Sequence, residues 1–261
     1  MRALHIASTG MLAQQTNVEV ISNNIANLTT TGYKRQRAEF QDLLYSNIVR
    51  PGAQSSDIGT IIPSGIQLGN GVKTAAVYRI NEQGTLQRTE NKLDVGINGQ
   101  GYFQVDLPNG EIAYTRDGTF SLDAQGQVVT QQGYLVRGVN QIPRGATDIV
   151  INEVGQMFVK LDGTTTPVQQ GQFQMVTFPN PTGLEAIGGN LLLETPASGT
   201  PITGSAGDQG FGKLNQGAVE NSNVNIVAEI TSLITAQRAY EMNSKVVKAA
   251  DDMLSAVNQL R

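Results

Sequence analysis

The chain has 261 residues, of which 39% are hydrophobic and 15% charged, values near those of globular domains. A formal net charge of −4 gives no general attraction for phosphate backbones, so no nucleic-acid partner is expected. With no cysteine, the chain has no disulfide, thiolate nucleophile or thiolate metal site. It has neither a membrane-length apolar run nor a signal-peptide pattern, so we do not expect the general secretory route to carry it.

The first part of the chain, residues 1–45, is predicted to be a helical segment. Its apolar residues step alternately by threes and fours, the period of a coiled-coil seam, and predict a helix from about Ala3 to Asn27. The β-branched residues and glycine of Thr29–Gly32 break that helix, and the apolar patch from Phe40 to Tyr45 predicts a second, short one. The seam residues of the first helix are Leu4, Ala7, Met11, Gln14, Val18, Ile21 and Ile25.

Residues 46–71 are predicted to form an extended arm without a core of its own. Proline, glycine and serine punctuate a small number of β-branched residues here, which is typical of irregular extended chain. The residues that give the arm this character are Pro51, Gly52, Ser55, Ser56, Pro63 and Gly65.

From residue 72 to residue 218 the period becomes two, which predicts a central antiparallel β domain. Short strands at 102–105, 112–115, 127–129 and 134–136 alternate with the turn pairs Asn109-Gly110, Asp117-Gly118, Gln125-Gly126 and Gln132-Gly133. Residues 149–178 continue in the same style. The glycine-rich stretch from Gly183 to Gly217 predicts long loops.

The last part of the chain, residues 219–261, is predicted to be a second helical segment. Asn225 is a plausible N-cap, and Glu229 in the first turn complements the helix dipole. Its seam residues are Ala236, Ala239, Asn243, Val246, Ala250, Met253, Val257 and Leu260. The predicted fold class is therefore α+β, with terminal helices forming a coiled-coil-like helical domain and a central antiparallel β-rich domain.

Two arrangements of the terminal helices are open: an intramolecular hairpin packed on the β domain, or helices that order on joining other copies. Many seam positions are alanine, and burial of about 2 kcal/mol per apolar side chain falls short of the backbone entropy of the helices. Either the β domain or neighbouring subunits must therefore cover them. The polar seam residues Gln14 and Asn243 fit a register-setting role, because a slipped alignment would leave a buried amide unpaired.

The sequence offers little material for catalysis. Its single histidine, His5, lies on the predicted first helix, which argues against a Ser-His-Asp triad, and one histidine cannot form a multi-histidine metal site. Gly207–Lys213 has phosphate-loop spacing, but Leu214 replaces the magnesium-binding hydroxyl, and Gly96–Gly101 leads into a strand instead of a helix. We expect no enzyme, no cofactor, no metal site and no small-molecule substrate.

Charged side chains in the sequence also have plain structural interpretations. The carboxylates Asp94, Asp106, Glu111 and Asp117 could pair as acid and base, but turns collect such residues for hydrogen bonding alone. The short basic cluster Lys34, Arg35 and Arg37 is predicted to be a solvated turn.

Three separated blocks resemble the bacterial flagellar rod and hook axial proteins. Thr9–Gln15, Ile21–Asn27 and Thr30–Arg35 are similar to the N-terminal signature of that family, and Gly99–Phe103 with Tyr114–Phe120 to its central β domain. The C-terminal signature is matched by Glu220–Asn225, Gln237–Asn243 and Asp252–Leu254.

Within that family, the arm resembles the segment that distinguishes distal rod proteins from hook and proximal rod proteins. The resemblance implies a structural subunit that polymerises helically into the rigid distal rod, the drive shaft of the flagellar basal body. Terminal helices of many copies would form an inner tube around the export channel, with the β domains outside. The arm, wedged between neighbouring β domains, would remove the sliding that bending requires.

The resemblance also implies partners and a location. The partners are copies of the chain itself, proximal rod and hook proteins, the surrounding P and L ring proteins, the flagellar type III export apparatus and the rod cap. The location is the basal body, spanning the periplasm toward the outer membrane, after export without a cleaved signal peptide. Alternatives are another axial protein of the same family, or a non-catalytic β-rich binding module on a helical stalk.

Overall fold

The computed structural model describes residues 2–49, 64–163 and 166–259, and the chain folds as two compact units. Unit 1 consists of Met1–Ile25, Gln36–Tyr78 and Asn225–Arg261, and unit 2 of Ala26–Arg35 and Arg79–Val224. Unit 1 therefore takes in both ends of the chain. None of the helices in the described ranges is both long and apolar enough to span a membrane.

Two long helices belong to unit 1, α1 (Arg2–Ala26) and α2 (Ile226–Gln259). Both predicted terminal helices are confirmed. Asn225 caps α2 as expected, because its side-chain Oδ1 accepts hydrogen bonds from the backbone N–H groups of Val227 and Ala228 at 3.1 and 3.2 Å.

Unit 1 also contains strands that the sequence did not predict. The predicted short helix from Phe40 to Tyr45 is wrong, because this region is extended and paired: β1 pairs with β4, and β2 pairs antiparallel with β3. A short apolar run fits either element, and strand pairing decides it here. The strands are β1 (Gln36–Asp42), β2 (Tyr45–Val49), β3 (Ile66–Gly69) and β4 (Val72–Arg79).

The described ends of the predicted arm form the β2–β3 hairpin, with Tyr45 opposite Gly69 and Ser46 opposite Leu68. These parts of the arm are extended, but they pair with each other. The predicted arm residues Pro51, Gly52, Ser55, Ser56 and Pro63 lie outside the described residues, whereas Gly65 is described and half-buried.

Unit 2 contains a nine-stranded sheet with β7 near its middle. β7 pairs antiparallel with β8 on one side, and with β11 and β15 on the other. The strands of unit 2 are β5 (Leu86–Arg88), β6 (Val95–Asn98), β7 (Tyr102–Asp106), β8 (Ile112–Thr115), β9 (Phe120–Leu122), β10 (Val128–Thr130), β11 (Leu135–Val136), β12 (Ala146–Ile151), β13 (Gln156–Leu161), β14 (Val168–Gln172), β15 (Gln174–Thr177), β16 (Glu185–Gly188), β17 (Leu191–Leu193), β18 (Ile202–Ser205), β19 (Lys213–Gln216) and β20 (Ala218–Glu220).

The period-two pattern of β7 explains how unit 2 forms its two apolar clusters. Phe103 points into the larger cluster, where its ring meets Phe120 and Phe173 edge-on at 5.1 and 5.8 Å. Tyr102 points the opposite way and packs against Phe178 in the smaller cluster. Alternate residues of one strand therefore serve both faces of the sheet.

Glycines act in unit 2 in two ways. Gly110, Gly126 and Gly133 have positive φ angles of 84 to 86° and form tight turns between strands, as predicted. Gly118 does not close a hairpin. A Cβ on Gly118 would overlap the Val95 carbonyl oxygen, so glycine is required there for close backbone approach.

The stretch from Gly183 to Gly217, predicted as long loops, contains the short strands β16 to β19. β17 and β19 are anchored by Leu191 and Leu214, which are 4% and 1% exposed. The loop prediction is therefore wrong for these strands, because three- and four-residue strands separated by glycines lack a readable period.

Candidate assembly surfaces

The two helices of unit 1 run antiparallel and in contact. Asn24 on α1 donates from Nδ2 to the Glu229 carboxylate on α2 at 3.2 Å, and a Cβ on Gly10 would lie 2.9 Å from Asn243 Nδ2. These two contacts lie 14 residues apart on each helix, since Gly10 to Asn24 and Glu229 to Asn243 are equal intervals. The helices thus stay in register over about 21 Å.

The predicted seam of α1 follows its covered side. Ala7 and Ile21 are 4% and 5% exposed, and the other five seam residues are half-buried. The predicted polar residue Gln14 lines a groove of 340 Å³ between α1 and α2, together with Asn17 and Ala236. Asn24, which the sequence analysis did not single out, is 1% exposed and also exchanges hydrogen bonds with the backbone of Gln36.

The predicted seam of α2 is divided between two environments. Ala236 and Ala250 are buried, and Ala239 and Asn243 are half-buried. Val246 and Met253 are 47% and 63% exposed. The side chain of Val257 and the whole of Leu260 lie outside the described residues. One part of the seam is therefore covered within unit 1, and another part faces solvent.

The exposed part of the seam belongs to an apolar stripe on α2. Met242, Val246, Ala249 and Met253 follow one another by four, three and four residues, so they lie on one helix face. Met242 is 60% exposed. Contiguous exposed apolar surface of this kind marks protein–protein contact sites. We call these four residues the α2 stripe.

Replacing Gly10 by leucine should separate α1 from α2. The new side chain would meet Asn243 at a point where the backbones approach closely, and overpacking costs about 1–3 kcal/mol. We expect a lower melting temperature by circular dichroism at the helical band. The matched control is Ser8→Leu, at an exposed position of α1, and an equal loss in both variants would contradict the close helix contact.

A second apolar surface lies on the β2–β3 hairpin. Leu44, just before β2, is 88% exposed, and Tyr45 and Ile48 are 55% and 57% exposed. On β3, Ile66 and Leu68 are 53% and 43% exposed. The part of the predicted arm that the structure describes therefore presents apolar side chains to solvent.

Unit 2 contains a buried ion cluster centred on the Glu220 carboxylate, whose side chain is fully buried. It accepts from Lys34 Nζ at 2.6 Å, from Arg116 Nε at 2.5 Å and from the backbone N–H of Gly84 at 2.8 Å. The backbone carbonyl of Glu220 accepts from Gly32 N–H at 2.7 Å. One residue thus ties together three distant parts of the sequence.

The two cations of the cluster share one carboxylate. Burial alone would raise the pKa of Glu220, but the attraction of Arg116 and Lys34 outweighs burial and holds that pKa below its usual value. Burial lowers the pKa of Lys34. The attraction of the Glu220 carboxylate offsets this lowering only in part, and repulsion from the Arg116 guanidinium adds to it. The prediction of a solvated basic turn is wrong for Lys34, which is 8% exposed, whereas Arg37 is exposed beside Glu39.

The four carboxylates considered as acid–base candidates are engaged in structural hydrogen bonds and ion pairs. Each makes its own local contact: Asp94 with Thr89 and Asn91, Asp106 with Arg137, Glu111 with Asn109, and Asp117 with Thr119 and Asn190.

The structure also places the other residues and glycine-rich stretches that the sequence analysis considered for catalysis or ligand binding. His5 is exposed on α1. Lys213, in the phosphate-loop-like stretch, pairs with Glu153 at 2.7 Å on the surface. The carbonyls of Gly99 and Gly101 accept from the Arg116 guanidinium, so the second glycine-rich stretch serves the ion cluster. Across the described ranges, the acidic side chains and His5 form no group of three that could hold a metal ion.

Profiles of protein families match three parts of the chain. Residues 4–34 match the profile described as flagella basal body rod protein, and residues 96–159 match the flagellar hook protein FlgE/F/G D1 domain. Residues 215–260 match the flagellar basal body rod FlgEFG protein C-terminal region. The class is therefore that of flagellar rod and hook proteins, as the three sequence blocks indicated.

Full-length relatives narrow the class. The chain is 59% identical to a flagellar basal-body rod protein FlgG of Caulobacter vibrioides, with both chains covered completely. It is 50% identical to FlgG of Agrobacterium fabrum over 99% of each chain, and 36% identical to FlgG of Bacillus subtilis over 100% of this chain and 99% of the relative. The chain belongs to the FlgG family of flagellar basal-body rod proteins.

Proposed function

We propose that this chain is a structural subunit that polymerises helically with its own copies into the rigid distal rod of the flagellar basal body. In that role it transmits torque to the hook and encloses the export channel. Membership of the FlgG family over the whole chain supports the proposal. The observation that carries it is the α2 stripe, an apolar surface left open by the chain itself.

The assembly interface is proposed to use both terminal helices. α1 covers one face of α2 within the chain, and the α2 stripe on another face is available to a neighbouring copy. Full burial of one such side chain contributes about 2 kcal/mol, so a repeated stripe supports stable contacts. The heptad-like spacing of Glu229, Ala236, Asn243 and Ala250 supports coiled-coil-like packing of the helices.

The segments of the chain are proposed to have different places in the polymer. Residues 1–45 and 219–261 are the assembly segments, residues 72–218 form the outer β layer, and residues 46–71 are the rod-specific arm. The exposed apolar side chains of Leu44, Tyr45 and Ile48 support a contact role for the root of the arm. Wedged between neighbouring β domains, the arm would oppose the sliding that bending requires.

Partners and location follow from the proposed rod. The partners are further copies, the proximal rod and hook proteins, the P and L ring proteins, and the type III export apparatus with the rod cap. No nucleic acid or small-molecule substrate takes part. The subunit is located in the basal body, spanning the periplasm toward the outer membrane.

Electron microscopy of purified full-length chain, concentrated stepwise, tests the proposed function. We expect tubes of uniform diameter above a threshold concentration. A protease should cleave the terminal helices more slowly in the tubes than in the monomer, since neighbouring copies cover the α2 stripe in the tubes. Particles that never form tubes, with both termini already protected, would contradict the proposal.

A further inference from the structure

Arg79 is a half-buried cation at the end of β4, where the chain enters the second segment of unit 2. Its Nη2 donates to the backbone carbonyl of Leu184 at 2.5 Å. A guanidinium has five N–H donors, and this is the one hydrogen bond that Arg79 makes with the described residues. Within the described residues, most of the donors of this guanidinium therefore have no protein acceptor.

Arg116 shows how a buried guanidinium of the same unit is normally satisfied. Its Nε binds the Glu220 carboxylate, and its two terminal nitrogens donate to the carbonyls of Gly101 and Gly99 at 2.8 and 2.6 Å. Arg116 thus has a counter-charge and three hydrogen bonds. Arg79 has neither an ion pair in the described part of the chain nor a comparable set of acceptors.

The described surroundings of Arg79 do not include a carboxylate that pairs with it. Burial lowers the pKa of Arg79, and the phenols of Tyr102 and Tyr33 offset this only in part. Glu220, the buried carboxylate that also acts on Tyr102, is already shared by Lys34 and Arg116. Partial removal of a charge from water costs free energy, and none of the carboxylates in the described residues pairs with Arg79 to offset that cost.

The same unit carries a surplus of exposed carboxylates. Unit 2 has ten Lys and Arg residues against fourteen Asp and Glu, whereas unit 1 has eight of each, so the net charge of −4 belongs to unit 2. Several exposed carboxylates of unit 2 have no cationic partner among the described residues. They are Glu82, Glu90, Glu111, Asp162, Glu185, Glu194 and Asp208.

We propose that Arg79 receives an exposed carboxylate from unit 2 of a neighbouring copy, forming an ion pair between subunits. The inference rests on the proposed polymer, in which identical surfaces meet repeatedly, and it adds a specific contact on the β-rich part of the chain. Arginine binds a carboxylate through two parallel hydrogen bonds, so the pair also fixes orientation. Arg79 and the exposed carboxylates have opposite charges, so the surfaces of two copies that carry them are complementary.

The adjoining surface is also open to a partner. The acceptor of the Arg79 hydrogen bond, Leu184, directly precedes β16, an edge strand of the nine-stranded sheet whose residues are all exposed. Ile187 on this strand is 45% exposed. The cation therefore lies beside an uncovered strand edge, where the carboxylate of a second copy can approach.

Arg79→Gln tests the inference, because the amide can still donate to Leu184 but carries no charge. We expect an unchanged or raised melting temperature of the monomer, since a half-buried charge without an ion pair among the described residues is removed. The threshold concentration for polymerisation should rise about tenfold or more, since a partly buried ion pair is lost. The control Arg144→Gln, at an exposed arginine without an ion pair, should change neither quantity.

Charge-reversal variants identify which carboxylate of the neighbouring copy binds Arg79. Arg79→Glu should block polymerisation, and one of the seven exposed carboxylates changed to lysine in the same chain should restore it. Arg79→Gln that polymerises at the wild-type threshold overturns the inference while the proposed function stands. A lowered melting temperature with an unchanged threshold also overturns it, by assigning Arg79 a role within the chain. Failure of the wild type to polymerise contradicts the proposed function itself.

Discussion

Replacing Glu220 by alanine is expected to lower the free energy of unfolding by about 3–5 kcal/mol. The substitution leaves Lys34 and Arg116 buried without their shared carboxylate, and it removes the acceptor of the Gly84 N–H. The expected loss of unfolding free energy comes mainly from leaving two buried charges without a counter-charge. It is therefore larger than the contribution of an ordinary hydrogen bond. Urea unfolding of the monomer, followed by tyrosine fluorescence, measures it.

Glu153→Ala is the matched control for this prediction. Glu153 also forms an ion pair, with Lys213 at 2.7 Å, but both side chains are more than 60% exposed and water screens them. We expect no measurable loss of stability. Similar losses in the two variants would contradict the view that burial sets the importance of the Glu220 cluster.

The Glu220 carboxylate should make the stability of the protein sensitive to acid. Although burial opposes its ionisation, Arg116 and Lys34 hold the pKa of Glu220 below its usual value in the folded state. In the unfolded chain a glutamate titrates near about pH 4.3, so the stabilisation is complete above that pH and declines as the pH falls toward the folded-state pKa. The urea midpoint of the wild type should therefore drop between about pH 5 and pH 3 more steeply than that of Glu220→Gln.

Introducing lysine at both Val246 and Met253 is expected to abolish polymerisation and leave the monomer intact. Both side chains are about half exposed or more, so their replacement should change monomer stability by no more than about 0.5 kcal/mol. In the proposed polymer they are buried, at about 2 kcal/mol each, and lysine would add the cost of desolvating a charge. Sedimentation should show a threshold concentration raised by at least about a hundredfold.

Gln237→Lys combined with Ser255→Lys is the control for the α2 stripe. Both positions are exposed on α2, lie on a different face and add the same charge. We expect this variant to polymerise near the wild-type threshold. If it fails as completely as the stripe variant, added charge on α2 is responsible and the stripe loses its assigned role.

The sequence was sufficient wherever a local signal decides the structure. The long amphipathic period and the Asn225 cap located α2 within a residue, because capping and periodicity act over one or two turns. The glycines of the hairpin turns could also be predicted, since the positive φ angle that favours glycine depends on the local turn conformation. The predicted seam of α1 also agrees with the covered side of the helix, because helical periodicity is a local signal.

What the sequence did not reveal depends on contacts between distant residues. Lys34, Arg116 and Glu220 are separated by 82 and 104 positions, and no local pattern indicates that one carboxylate accepts from both cations. The division of the α2 seam was hidden for a similar reason. Periodicity shows that a face is apolar, but only the position of α1 decides which part of that face is already covered.

The place of the Glu220 cluster along the chain has a mechanical consequence. A pull on the N-terminus enters unit 2 through Ala26–Arg35, which contains Lys34. A pull on the C-terminus enters it through the segment that contains Glu220, five residues before the cap of α2. Force applied at either end of the chain is therefore transmitted to the Glu220 carboxylate, which Lys34 binds. Tension from either end therefore loads the Glu220 cluster, together with the hydrogen bonds that hold the same two segments, those of Asn223 to Ile80 and Glu82 and of Asn190 to Thr31.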